Sequence, residues 1–108
     1  MQPSEVISEM QRLIRESQKG IDALYEAEKA LADAENNLDT VEQKAFIKYE
    51  GTVADRQAMA KLEAADARLQ RDLRRAELNR IKAKLKIIEQ AQMATSVIAR
   101  QVEVEARL

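Results

Sequence analysis

Apolar residues recur along the first part of the chain at intervals of three, four and seven: Val6, Met10, Leu13, Ile14, Ile21, Leu24, Leu31, Leu38, Val41 and Ala45. That is the spacing of a helix with one buried face. The pattern stops at Tyr49-Glu50-Gly51-Thr52-Val53-Ala54-Asp55 and resumes with Leu62, Leu69, Leu73, Ala76, Ile81, Leu85, Ile88, Ile98 and Val102. Gly51 suits the left-handed backbone past a helix C-terminus, and Thr52 followed by Asp55 can open the next helix as a variant capping box. A short connection between long helices predicts an antiparallel helical hairpin, coiled-coil-like and all-α.

The arms are placed at residues 21–50 and 52–108 of a single domain, with Gly51, Thr52 and Asp55 forming the hairpin turn. Pro3-Ser4 marks the start, because proline is tolerated in a first turn and serine can cap it. Gly20 sits inside the first arm, where glycine costs about 1 kcal/mol against alanine. A kink or break is expected there, residues 4–18 either forming a separate short helix or continuing through a kink. No Gly or Pro interrupts the chain from Thr52 to Leu108, so the second arm is expected to run unbroken. Leu78, Ile81, Leu85 and Ile88 widen the apolar surface of that arm beyond one coiled-coil seam. They form either a better-filled hairpin core or a subunit interface.

Composition sharpens the class. Among 108 residues there are 18 Ala, only 2 Gly, 1 Pro and no Trp, with 34% charged side chains. Sheets prefer β-branched and aromatic residues, whereas this profile matches long helices. An alanine-rich stripe removes little apolar area from water, and at about 25 cal/mol per Å² the gain hardly exceeds the cost of ordering the backbone. A homo-oligomer is therefore expected. The chain has no Cys and no His, which excludes a disulfide framework, thiolate chemistry, zinc sites and imidazole catalysis. No apolar run approaches the roughly 20 residues of a membrane span, and the N-terminus lacks a signal-peptide core. A cytoplasmic protein with no membrane partner is the expectation.

The net charge of -1 conceals an uneven distribution. Asp22, Glu26, Glu28, Asp33, Glu35, Asp39 and Glu42 face only Lys29 in the first arm, while Arg68, Arg71, Arg74, Arg75, Arg80, Lys82, Lys84 and Lys86 stand against Asp72 and Glu77 in the second. Folding at Gly51 brings these runs partly opposite each other, so they can set the register of the hairpin. At about 100° per residue, Arg68, Arg71, Arg75, Lys82 and Lys86 fall within about a sixth of the helix circumference. Like charges at i,i+4 repel unless something answers them. The answer is the acidic arm, a neighbouring subunit, or phosphates held through counterion release. Phe46 and Tyr49, one turn apart near the tip, either stack on bases or pack the helix end.

Acidic residues on so charged a helix are most simply a solvated face. Neither a glycine-rich phosphate loop nor a nucleophile or metal-ligand motif is present, so no enzyme activity, cofactor or small-molecule substrate is expected.

From Val41 to Arg100 the chain resembles the UvsY family of phage recombination mediators. The likeness rests on Gln43-Lys44-Ala45-Phe46-Ile47-Lys48-Tyr49 followed by Gly51, then Thr52-Val53-Ala54-Asp55-Arg56, Lys61-Leu62-Glu63-Ala64-Ala65-Asp66 and Ala94-Thr95-Ser96-Val97-Ile98-Ala99-Arg100. The resemblance implies an oligomeric binder of single-stranded DNA, encoded by a phage or prophage, that helps load a recombinase onto DNA covered by single-strand-binding protein. Arg68, Arg71, Arg75, Lys82 and Lys86 would carry backbone contact, with Lys44 and Lys48 as secondary candidates. A structural or adaptor coiled coil, whose bases are consumed by its own acidic arm, is the alternative.

Overall fold

A computed structural model describes residues 2–108, and the fold is an all-α helical hairpin. The described residues form three helices in the order α1 (Pro3–Lys48), α2 (Val53–Glu63) and α3 (Ala65–Arg107). The amides of Glu5 and Val6 both donate to the Gln2 carbonyl, at 3.0 and 3.1 Å. Gln2 is thus the N-cap and Pro3 the first helical residue, two positions earlier than a Ser4 cap would require. Proline fits there because a first-turn amide has no intrahelical partner to lose.

Helix α1 continues through Gly20, and residues 4–18 are not a separate helix. The reason lies across the seam. A Cβ at position 20 would collide with Leu85 Cδ2 and lie 3.1 Å from Leu85 Cγ. Gly20 is a notch that admits the leucine, and the packing outweighs the intrinsic cost of glycine in a helix.

The turn forms as expected. Gly51 has φ +118, the one positive value among the described residues, in a region that glycine tolerates and L side chains rarely adopt. Thr52 is extended at φ -69, ψ 163, and its Oγ1 accepts from the Asp55 amide at 3.1 Å. Arg56 reaches back so that Nε donates 2.9 Å to the Phe46 carbonyl, satisfying one of the last acceptors of α1.

The second arm is not one regular helix. Ala64 departs from helical geometry at φ -89, ψ 4 and separates α2 from α3. The hydrogen-bond ladder survives, since the Ala64 amide donates to Ala60 at 3.0 Å and the Arg68 amide to Ala64 at 2.9 Å. Ala64 is 0% exposed and clusters with Leu38 and Ala67, with Val41 packed alongside. The irregularity thus falls at the tightest point of the core.

The contacts divide into two compact units: the chain up to Leu24 with Arg80–Leu108, and Tyr25–Asn79. In the second unit Ala27, Leu38, Ala45, Ala60, Ala64, Ala67 and Leu78 are buried. In the first, Val6, Leu13, Ile88 and the Thr95 side chain are buried. The Thr95 hydroxyl donates 2.8 Å to the Ala91 carbonyl, which removes the penalty of an unpaired polar group.

Candidate nucleic-acid interface

The five bases expected to form one stripe have different surroundings. In the turn-proximal unit, Arg68 Nη2 lies 3.3 Å from Glu42 and Arg75 Nη2 lies 3.5 Å from Glu35. Seven residues separate the two bases and seven the two acids, as an antiparallel pairing repeated every two turns requires. Arg71, with a quarter of its side chain exposed, donates from Nε to Asp72 at 2.9 Å. Like-charged Arg71 and Arg75 are therefore each answered by a carboxylate within their own unit. Exposed pairs of this kind contribute about 0–1 kcal/mol each, so they fix register more than stability.

Lys82 and Lys86 differ. Both are exposed, as are Arg80 and Lys84 between and beside them. Among the described residues, none of these four has a carboxylate oxygen within 4.0 Å. The residues sit at alternate positions of α3, and a step of two on a helix turns about 200°. Arg80 and Lys84 accordingly occupy one flank, Lys82 and Lys86 another. Glu16, Lys19, Gly20, Ala23, Arg80, Ile81, Lys84, Leu85 and Ile88 border a shallow groove of about 350 Å³, apolar at its floor and cationic along one edge.

Leu78, Ile81, Leu85 and Ile88 contribute to the hairpin seam. Leu78 and Ile88 are buried, Ile81 and Leu85 half-buried, and Leu85 packs into the Gly20 notch. Their spacing of three, four and three is what contact with α1 demands. The large apolar residues left outside are others: Leu62 is 71% exposed, Leu69 54% and Leu73 51%. Ile7, Ile14 and Ile21 are similarly exposed on α1. The sequence held the signal for this split. Ala76 to Ile81 is a step of five, a phase slip between two apolar stripes that a single list of hydrophobic positions merges.

Near the turn, Lys44 is exposed and Lys48 Nζ lies 3.0 Å from Glu63. The hydrogen bond to Glu63, then the charge of that carboxylate, raises the Lys48 pKa above its usual value. Its ammonium also lies 5.2 Å from the Tyr49 ring centroid. Phe46 is half-buried, with the Arg56 guanidinium 4.1 Å from its ring centroid. That cation occupies one face of the ring, leaving less of it for a base. Glu42, Gln43, Phe46, Ile47, Gln57, Ala60 and Lys61 line an open groove of about 560 Å³ beside it.

No group of three or more potential metal ligands occurs among the described residues, and no helix is long and apolar enough to cross a membrane. No protein-family model, curated protein or solved structure matches this chain.

Proposed function

We propose that this chain is a phage-type recombination accessory protein that binds single-stranded DNA without sequence preference, as an oligomer, and assists recombinase loading without catalysis of its own. The observation that carries the reading is the run Arg80, Lys82, Lys84 and Lys86, exposed and without carboxylate partners among the described residues. Such a run repels itself on an isolated helix, and a polyanion relieves the repulsion while releasing counterions. Lys82 and Lys86 are the primary contacts. Arg68, Arg71 and Arg75, already engaged with acids, are secondary, as are Lys44 and Lys48.

Fluorescence anisotropy of a labelled oligonucleotide at several salt concentrations tests this. The triple variant Lys82→Glu, Lys84→Glu, Lys86→Glu should lose most affinity, and a triple Gln variant should lower the salt slope by about 2 for three lost phosphate contacts. Absence of binding by the unaltered protein at micromolar concentration in low salt ends the proposal.

A second reading has its own observation. Exposed Leu62, Leu69 and Leu73 favour a structural or adaptor coiled coil that docks another protein through an apolar face. In that case the lysine variants leave partner capture intact, while Leu69→Ser with Leu73→Ser abolishes it.

A further inference from the structure

The groove beside Gly20 is walled entirely by one compact unit, and its two rims differ in charge. Arg80 and Lys84 form the α3 rim, both exposed and, among the described residues, without a carboxylate oxygen within 4.0 Å. Glu16 and Lys19 form the α1 rim, with the Lys19 ammonium 4.0 Å from the Glu16 carboxylate, too long for a hydrogen bond. The Glu16 side chain is 35% exposed and that of Lys19 77%, so the carboxylate is the more enclosed of the two. Among the described residues no side chain donates a hydrogen bond to Glu16. Between the rims lie Ala23, Ile81 and Leu85. The space of about 350 Å³ falls at the low end of small-ligand sites, which run from about 300 to 1,000 Å³.

An anion with a flat apolar body and a hydrogen-bond donor at its far edge matches this order of groups. We propose that the groove seats one nucleotide of a bound single strand, with its phosphate on Arg80 and Lys84, its base on the apolar floor, and an exocyclic amino group of that base donating to Glu16. The proposal rests on the reading of the chain as a single-strand binder and adds what holds the base. Charge fixes the orientation. The α3 rim attracts a phosphate, where Arg80 offers a planar fork of donors, and Glu16 repels one. The base is uncharged, so its face covers Ile81 and Leu85 and takes apolar area out of water. Cytosine carries an amino group where thymine and uracil carry a carbonyl oxygen, and adenine and guanine carry amino groups as well. A carbonyl oxygen set against a carboxylate brings together two acceptors with no proton between them. The groove therefore favours amino-bearing bases and leaves their order unread. A fatty acid would suit the floor and the cations, yet it would leave Glu16 without a donor. Lys82 and Lys86, on another flank of α3, hold neighbouring phosphates by charge alone.

Fluorescence anisotropy on the full chain, with labelled strands of deoxycytidine and of deoxyuridine, tests the proposal. The two probes have equal length and charge and differ only along one base edge. The unaltered chain should bind the cytosine strand about fivefold more tightly, the low end of discrimination by a contact to a base edge. Glu16→Ala should make the two affinities equal, by losing hold of cytosine and not of uracil. Arg80→Gln with Lys84→Gln should weaken both strands alike and keep their ratio, as loss of phosphate contacts does. Equal affinity of the unaltered chain for the two strands overturns the proposal and leaves single-strand binding standing. So does a cytosine preference that survives in Glu16→Ala. Absence of binding to either strand in low salt removes the single-strand reading and this proposal together.

Discussion

Replacing Gly20 by alanine sets two effects against each other, and the notch decides the sign. Intrinsic helix preference favours the substitution by about 1 kcal/mol. Against it, the new methyl would collide with Leu85 Cδ2 and crowd Leu85 Cγ at 3.1 Å. Overpacking a fitted site costs about 1–3 kcal/mol. The half-buried Leu85 can yield in part, so the expected net result is a loss of about 1 kcal/mol, taking the middle of that range. The same substitution in a Leu85→Ala background meets open space and should stabilise by about 1 kcal/mol, the full helix preference. The cycle then gives a coupling of about 2 kcal/mol between positions 20 and 85, which packed neighbours can show and distant residues cannot. Urea unfolding followed by far-UV circular dichroism, at one fixed protein concentration, measures all four corners. Equal stabilisation by Gly20→Ala in both backgrounds would show that Leu85 does not occupy the notch, and the account of the unbroken α1 would fail with it.

Two further substitutions probe the turn and its ion pair. Gly51→Ala places an L side chain at φ +118 with its Cβ 3.2 Å from Asp55 Oδ2, and should cost about 1–3 kcal/mol in the same unfolding assay; an unchanged midpoint would contradict the turn geometry. Glu63→Gln removes the carboxylate that raises the Lys48 pKa. A raised folded pKa contributes stability that is complete below the unfolded value and lost as pH climbs through the folded one. From neutral pH the melting advantage over Glu63→Gln should therefore stay level toward 10.5, the ordinary lysine value, and shrink above it. An advantage that grows with alkali would refute the pairing.

Much of the fold was legible because it is written locally. A glycine free to take positive φ, a threonine three residues before an aspartate and a helical apolar period each act within a turn or two. The unbroken α1 was not legible, since the fate of Gly20 depends on Leu85, far away in sequence. The irregularity at Ala64 was equally hidden. Alanine is the best helix former, and only the cluster with Leu38 and Ala67 distinguishes this alanine from its neighbours. For the charges, composition showed that bases and acids could meet, while the particular pairs Arg68–Glu42 and Arg75–Glu35 required the register. Among the apolar residues, which ones turn inward depends on the same register: Ile88 is buried and Ile81 and Leu85 half-buried, whereas Leu69 and Leu73 are exposed.

The buried positions around the turn are mostly alanines, namely Ala27, Ala45, Ala60, Ala64 and Ala67. Each takes one methyl out of water where a leucine would take four carbons. Unfolding such a seam exposes little hydrocarbon, so its heat-capacity increment falls below the usual range of about 12–15 cal/mol/K per residue. A low increment flattens the free-energy curve. The hairpin should lose little on cooling, and on heating it should melt over a wide interval instead of at a sharp midpoint.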